Sequence, residues 1–317
     1  HVGGATVGPD GAELGDALRS TRSLQELSLC GTKIGPSIGI AVGRLLRSSN
    51  GERLTSLNLA DTLLGKEGMC MLSAALRGHK SLADLDVSYN QLGPLGCAML
   101  GDTLRVNHSL RSVVIMGEKF DARSSESIGR ALLENSGHGV CYWRSNTLTL
   151  LQETHSLSTH NLGPPDVTLL AGLLKHNSNL RKVTFSNNNI GRLGGRDSTR
   201  ALRSLATALK SNSGLTTVSM LGLEITDAGK RMLGNALLRN AFGRQIAVYY
   251  DSHGIPELSP LLEGIRSVRL SGLSAPSGIL LAGSICGNRS LTRLELDISG
   301  GGRETALAIA SALRTNS

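Results

Sequence analysis

The phrase LADLDVSYNQLG, residues 82–93, decides the fold. Leu82, Leu85, Val87 and Leu92 stand at offsets 1, 4, 6 and 11, Asn90 at offset 9, and Gly93 closes the phrase. Apolar offsets 4 and 6 alternate with polar neighbours, the period of a half-buried strand. The continuation PLGCAMLGDTLRVNHS has helical spacing and opens on Pro94, a residue suited to a first helical turn because its missing N–H costs little there.

Working outward, the same phrase starts at Leu24, Leu54, Leu82, Leu110, Leu180, Leu215 and Leu291, and in weaker form at Gln152, Gly243 and Ile265. Four of the nine intervals are 28 residues, which marks a repeat and not a coincidence of composition. One strand and one helix cannot bury their own apolar face, so successive copies must stack. Parallel strands stack about 4.8 Å apart, whereas helices are about 10 Å thick, so the stack bends with its helices outside. The expectation is an α/β horseshoe solenoid of about ten repeats of roughly 28 residues. Its parallel sheet lines the concave face and its helices the convex one. Large aromatics make up only 3% of the chain, which suits thin aliphatic layers.

The pattern L-x-x-L-x-L-x-x-N-x-L-G resembles the leucine-rich repeats of the ribonuclease-inhibitor-like subfamily. Similar repeats occur in the C-terminal parts of NOD-like receptors, in Ran GTPase-activating proteins and in some axonemal scaffold proteins. The resemblance covers essentially the whole chain and implies a single solenoid over 1–317. Neither end reads as a polar cap, so a segment of a longer protein is expected. Thr32, Thr62, Glu118, His160 and Leu223 replace Asn at offset 9, which predicts a less regular ladder of turn hydrogen bonds. Irregular insertions are expected at about 121–150 and 191–200, and an irregular repeat at about 243–264.

In each strand, offsets 3, 5 and 7 point away from the buried leucines, onto the concave face. Early rungs place Glu26, Asp84 and Asp86 there, with Asp61 at the adjoining offset. Middle rungs carry Ser and Thr. Later rungs carry Lys182, Arg269 and Arg293, with Arg181 and Arg266 flanking. Tyr249 is an inner aromatic and Tyr89 stands at the rim. The polarity suits a partner of complementary charge, and Tyr and Arg are frequent interface anchors; the same residues also suit a merely solvated sheet face. Tyr142 and the only tryptophan, Trp143, fall in the first insertion. They are read either as an exposed partner-binding pair or with Trp143 folded back over the degenerate strand that follows.

The formal charge of +8 raises nucleic acid as a ligand, but the 33 Lys and Arg are scattered and aromatics for stacking are few. No apolar run approaches the roughly 20 residues that span a bilayer. Five irregularly spaced cysteines cannot all pair, which favours a reducing compartment. Cys70 and Cys97 read as small fillers of helix faces. Asn107-His-Ser and Asn288-Arg-Ser match the glycosylation triplet and are read as chance matches. No phosphate loop, zinc-protease or nucleophile-elbow motif appears, and His155 and His160 alternate to opposite faces of a strand. The expected function is a non-enzymatic protein–protein interaction scaffold in a multi-subunit assembly. No cofactor, metal, nucleic acid, membrane insertion or small-molecule substrate is expected. The location is read as cytoplasmic, and the resemblance adds a ciliary or axonemal component as one concrete form. It also offers the sensing region of a NOD-like receptor and a Ran-type GTPase activator as alternatives.

Overall fold

The computed structural model describes residues 17–18, 23–118, 121–137, 139–146, 148–151, 154–159, 162–185, 188, 196–220, 223, 225–240, 246–250, 267–270, 273–286, 288, 291–296 and 300–314; at 196–197, 247–250 and 267–270 it describes the backbone alone. The chain divides into two compact units, His1–Gln152 and Glu153–Ser317.

The first unit alternates strand and helix. β1 (Glu26–Ser28), β2 (Ser56–Asn58), β3 (Asp84–Asp86), β4 (Ser112–Val114) and β5 (Tyr142–Arg144) are separated by α1 (Ser37–Leu46), α2 (Gly65–Leu76), α3 (Gly93–Val106) and α4 (Ala122–Glu134). The five strands pair in parallel, and in register the middle row runs Leu27, Leu57, Leu85, Val113, Trp143. These side chains are buried, as are Leu29, Leu59, Val87 and Ile115 two residues on. The period-two reading of the phrase is therefore the observed one. The helices pack in sequence on the buried side. α1 and α2 approach so closely that a Cβ on Gly39 would lie 2.2 Å from the Gly68 carbonyl oxygen.

The expected insertion at 121–150 is a correction. The segment holds an ordinary repeat helix, α4, and an ordinary parallel strand, β5. Val140, Trp143, Ser145 and Leu150, at offsets 1, 4, 6 and 11 of this copy, are all buried. The copy escapes a leucine pattern because Trp fills the second position and Ser the third. What is irregular comes next: the chain turns back as β6 (Thr149–Leu150), antiparallel to β5, with Trp143 opposite Leu150.

The turns after the strands repeat a left-handed pattern. Asp61, Leu63 and Gly65 have φ of 56°, 59° and 61°, and Tyr89, Gln91 and Gly93 have 56°, 56° and 61°. Such conformations cost about 1–2 kcal/mol for residues with a Cβ, and a buried hydrogen-bond ladder holds them. Asn90 Oδ1 accepts the Thr62 and Leu64 N–H groups at 3.0 Å each, and its Nδ2 donates to the Leu59, Val87 and Ser88 carbonyls. Glu118 does the same work one repeat on, one carboxylate oxygen accepting the Asn90 N–H and the other the Leu92 N–H. Thr32 and Thr62 donate their hydroxyls to the Leu29 and Leu59 carbonyls. The predicted irregularity of this ladder is corrected in part for Thr32, Thr62 and Glu118: the hydroxyls supply the donor half of the Asn90 contacts, within their own turns, and the carboxylate supplies the acceptor half, toward the preceding repeat. The Leu223 N–H donates to the Met220 carbonyl at 3.2 Å, and His160 lies outside the described residues.

A second ladder runs where helices end. Asn107 Nδ2 donates to the Leu76 and His79 carbonyls, and Asn135 Nδ2 to the Leu104 and Asn107 carbonyls. Each reaches the last turn of the preceding helix, where carbonyls lack partners inside the helix. Asn107, one of the two glycosylation triplets, is thus buried with its amide engaged.

The second unit repeats the scheme. β7 (Ser156–Ser158), β8 (Lys182–Thr184), β9 (Thr217–Met220) and β10 (Ala247–Tyr250) form a parallel sheet, and β11 (Ser267–Leu270) pairs in parallel with β12 (Arg293–Leu296). The helices are α5 (Pro164–His176), α6 (Arg196–Ser211), α7 (Asp227–Leu238), α8 (Ala275–Ile285) and α9 (Gly302–Arg314). Asn188 serves the turn ladder, accepting the Leu162 N–H and donating to the Thr159 carbonyl. Asn212 and Asn240 continue the helix-end ladder. Leu157, in register with the buried Val183, is only half-buried, β7 being the edge of its sheet among the described strands. Of the insertion at 191–200, residues 196–200 already belong to α6, and the rest lies outside the described residues. Within 243–264, only Ile246 and β10 are described.

Candidate interaction surface

Strand alternation leaves one face of each sheet free of helices. On the first unit, the row at offset 3 reads Glu26, Ser56, Asp84, Ser112, Tyr142, and the row at offset 5 reads Ser28, Asn58, Asp86, Val114, Arg144. Glu26 and Asp84 are exposed and form no ion pair among the described residues. Asp86 is half-buried and its Oδ1 accepts the Ser88 N–H at 2.9 Å. Asn58 makes the same bond to Ala60. Asp61, at the turn, forms an ion pair with Lys33, so its charge is compensated.

Burial, and then the Glu26 carboxylate two strands away, hold the Asp84 carboxyl above the ordinary carboxylate range. A folded-state pKa raised above that of the unfolded chain means that stability is present below the unfolded value and is lost as pH rises through the folded one. Asp84→Asn is therefore expected to melt at a higher temperature than the parent at pH 7, with the two converging near pH 3. A lower melting temperature at pH 7 would show that the carboxylate stabilises the sheet.

The acidic strands adjoin an apolar set that sequence reasoning missed. Val114 lies beside Asp86, and Met116 lies two residues further along the same side of β4; both are half-buried. Tyr89 is 55% exposed at the turn, where its ring lies over Gly117: a Cβ there would meet the ring at 2.1 Å. Tyr142 is half-buried on the open face. Its neighbour Trp143 is 1% exposed. An exposed Tyr–Trp pair is thus corrected: adjacent residues of a strand face opposite sides, so Tyr142 reaches the surface while Trp143 fills the core.

On the second unit, Lys182, Ser156 and Ser158 are exposed, and the exposed Arg181 donates from Nη1 to the Gly214 carbonyl at 2.8 Å. Arg293 is spent on Glu295, two residues along the same strand, with Nε donating to the carboxylate at 2.8 Å. A basic late surface is corrected at that rung, because Glu295 shares its face. The side chains of Tyr249 and Arg269, and the whole of Arg266, lie outside the described residues.

On the helix side of the first unit, a cleft between α3 and α4 is lined by Asp102, Arg105, Arg123, Glu126, Arg130 and Glu134. Arg105 bridges Asp102 and Glu134, and Arg130 also reaches Glu134. Four of the six lining charges, Asp102, Arg105, Arg130 and Glu134, are thus engaged with one another. Among the described residues no cluster of His, Cys, Asp and Glu is placed to hold a metal ion, and no helix is long and apolar enough to cross a membrane. All five cysteines are free. Burial pushes the Cys97 thiol up to about 11, in keeping with a core filler, whereas Cys70 is exposed on the outer side of α2, contrary to expectation.

Residues 78–101, which span β3, its turn and the start of α3, match the family described as Leucine Rich repeat. The chain is 25% identical over 259 residues to NACHT, LRR and PYD domains-containing protein 3 of Bos taurus, covering 80% of this chain and 23% of the relative. It therefore spans about a quarter of the length of the curated relative it matches. Among solved structures, the actin-binding site 2 of leiomodin-1 aligns with a TM-score of 0.41 and 14% identity, over 51% of this chain and 86% of that one. The leucine-rich repeat-containing protein LegL7 of Legionella pneumophila aligns with a TM-score of 0.32 and 14% identity, over 96% and 86%. With its phrase repeated as parallel strand–helix slices, its buried leucine rows and a family match lying on one such slice, the chain is a leucine-rich-repeat protein of the ribonuclease-inhibitor-like kind.

Proposed function

We propose that the protein is a non-enzymatic docking platform for a protein partner, and that the open sheet face of the first unit is its contact surface. One observation carries the reading: Asp84 and Asp86 stand on the strand next to Val114, on a face that also holds Glu26, Met116, Tyr142 and, at its rim, Tyr89, and neither Glu26 nor Asp84 forms an ion pair among the described residues, whereas Arg105 and Arg130 of the helix-side cleft pair with its acidic residues. Five free cysteines support a reducing compartment such as the cytoplasm. A photo-crosslinking residue placed at Ser56, in the middle of the acidic row, is expected to give partner adducts in cells, and one at Arg123 on the helix side is not. Adducts confined to position 123 would move the contact to the helices.

A second reading, the repeat region of a NOD-like-receptor-type protein, is favoured by the similarity to the bovine relative over 259 residues. Determining the reading frame upstream of His1 tests it: an ATPase phosphate loop there supports it, and its absence removes it. A ciliary scaffold rests on analogy of fold alone.

A further inference from the structure

Resting on the sheet-face reading, the geometry points to an extended peptide segment as the partner's recognition element, crossing the strands of the first unit with a Lys or Arg two residues from a large apolar side chain. The registers set the spacing. Asp84 and Asp86 stand on β3, Val114 and Met116 on or just past β4, and Tyr142 on β5. Neighbouring strands are about 4.8 Å apart, so the carboxylates and the apolar set are separated by one to two spacings, about 5–10 Å. Alternate residues of an extended chain point the same way and lie about 7 Å apart. A cation over β3 therefore places the next same-side residue over β4 and β5.

Chemistry selects the order of charges. Glu26 and Asp84 stand two strands apart on either side of Ser56, and a cation held over β3 at Asp84 relieves a repulsion that the free protein carries. Phosphate and acidic peptides meet the same repulsion increased. Ser28, Ser56 and Ser112 are small and let a peptide backbone approach the sheet, while Asn58 and the exposed Arg144 complete the inner rows. Tyr89, with its ring seated over Gly117, offers the exposed aromatic of a contact that is otherwise aliphatic.

The test uses the full 317-residue chain, immobilised and panned against a random 12-residue peptide display library. Recovered sequences are expected to be enriched in Lys or Arg two positions from Leu, Ile, Met, Phe, Tyr or Trp. Their synthetic peptides are expected to bind Glu26→Gln/Asp84→Asn about tenfold more weakly, the scale of a lost interfacial charge pair, and Met116→Ser/Tyr142→Ser more weakly still. Each variant is first shown to melt cooperatively like the parent. No enrichment, or enrichment of acidic peptides, overturns the inference. Binding that falls with Met116→Ser/Tyr142→Ser but is indifferent to Glu26→Gln/Asp84→Asn sinks the cation rule and leaves the docking face standing. Binding indifferent to both sinks the face as well.

Discussion

Replacing Asn90 by Ala should lower the stability of the first unit by on the order of 4 kcal/mol, since each buried polar group left without a partner costs about 1–3 kcal/mol. The side chain is fully buried and joins two repeats. Its removal strands the Thr62 and Leu64 N–H groups, which sit in a turn that depends on them, and takes from the Leu59 carbonyl one of its two side-chain donors, the Thr62 hydroxyl remaining. Without those bonds, the left-handed backbone of Asp61 and Leu63 is held only by the backbone bonds of Asp61 to Ser88 and of Gly65 to residue 90 and by the Thr62 hydroxyl. The measurement is a denaturant melt joined to amide hydrogen exchange. Thr62 and Leu64 should lose protection, while the Leu162 amide, held by Asn188 in the other unit, serves as the internal reference. Unchanged protection at Thr62 and Leu64 would mean that the turn is set by its backbone alone.

The fate of this ladder shows what a single sequence discloses. Leu82, Leu85 and Val87 announce a strand because burial on one face forces alternation, and every copy with aliphatics at those offsets can be found. A ladder position is harder to read, because the requirement is a hydrogen-bond pattern and not a residue type. Asn90 and Asn188 meet it with an amide, Thr62 with a hydroxyl, and Glu118 with two carboxylate oxygens. The helix-end ladder is legible in principle: Asn107 and Asn212 each stand three residues before the first leucine of a phrase, with His79 in the same place. Read as a polar turn, that spacing gives no sign that the amide reaches across to the previous helix.

The candidate surface divides in the same way. Glu26, Asp84 and Asp86 follow from alternation alone. Val114 and Met116 break the polar rule of the open face, and only the register that sets them beside Asp86 gives them meaning. The seat of Tyr89 on Gly117 joins residues 28 apart, invisible without the stacking of repeats. Arg293 and Glu295 were an avoidable miss, since residues two apart in a strand share a face.

Trp143→Ala should cost about 3–5 kcal/mol, the usual range for truncating a buried large aromatic. Trp143 occupies the row otherwise held by Leu27, Leu57, Leu85 and Val113, at the last parallel strand of its sheet, and β6 closes over it with Leu150 opposite. An alanine there opens a cavity in the buried row that neighbouring aliphatics fill only partly. Trp143→Leu restores the residue type of the row and should recover more than half of the loss. Since the chain contains a single tryptophan, its fluorescence reports the same site directly. The native emission should lie well to the blue of the unfolded chain's and resist quenching by iodide. Tyr142→Ala, one residue away on the open face, should instead leave the melt nearly unchanged and weaken partner binding. If Trp143→Ala proved as mild as Tyr142→Ala, or if iodide quenched the native emission, the tryptophan would face solvent and β5 would not be the fifth rung of the sheet.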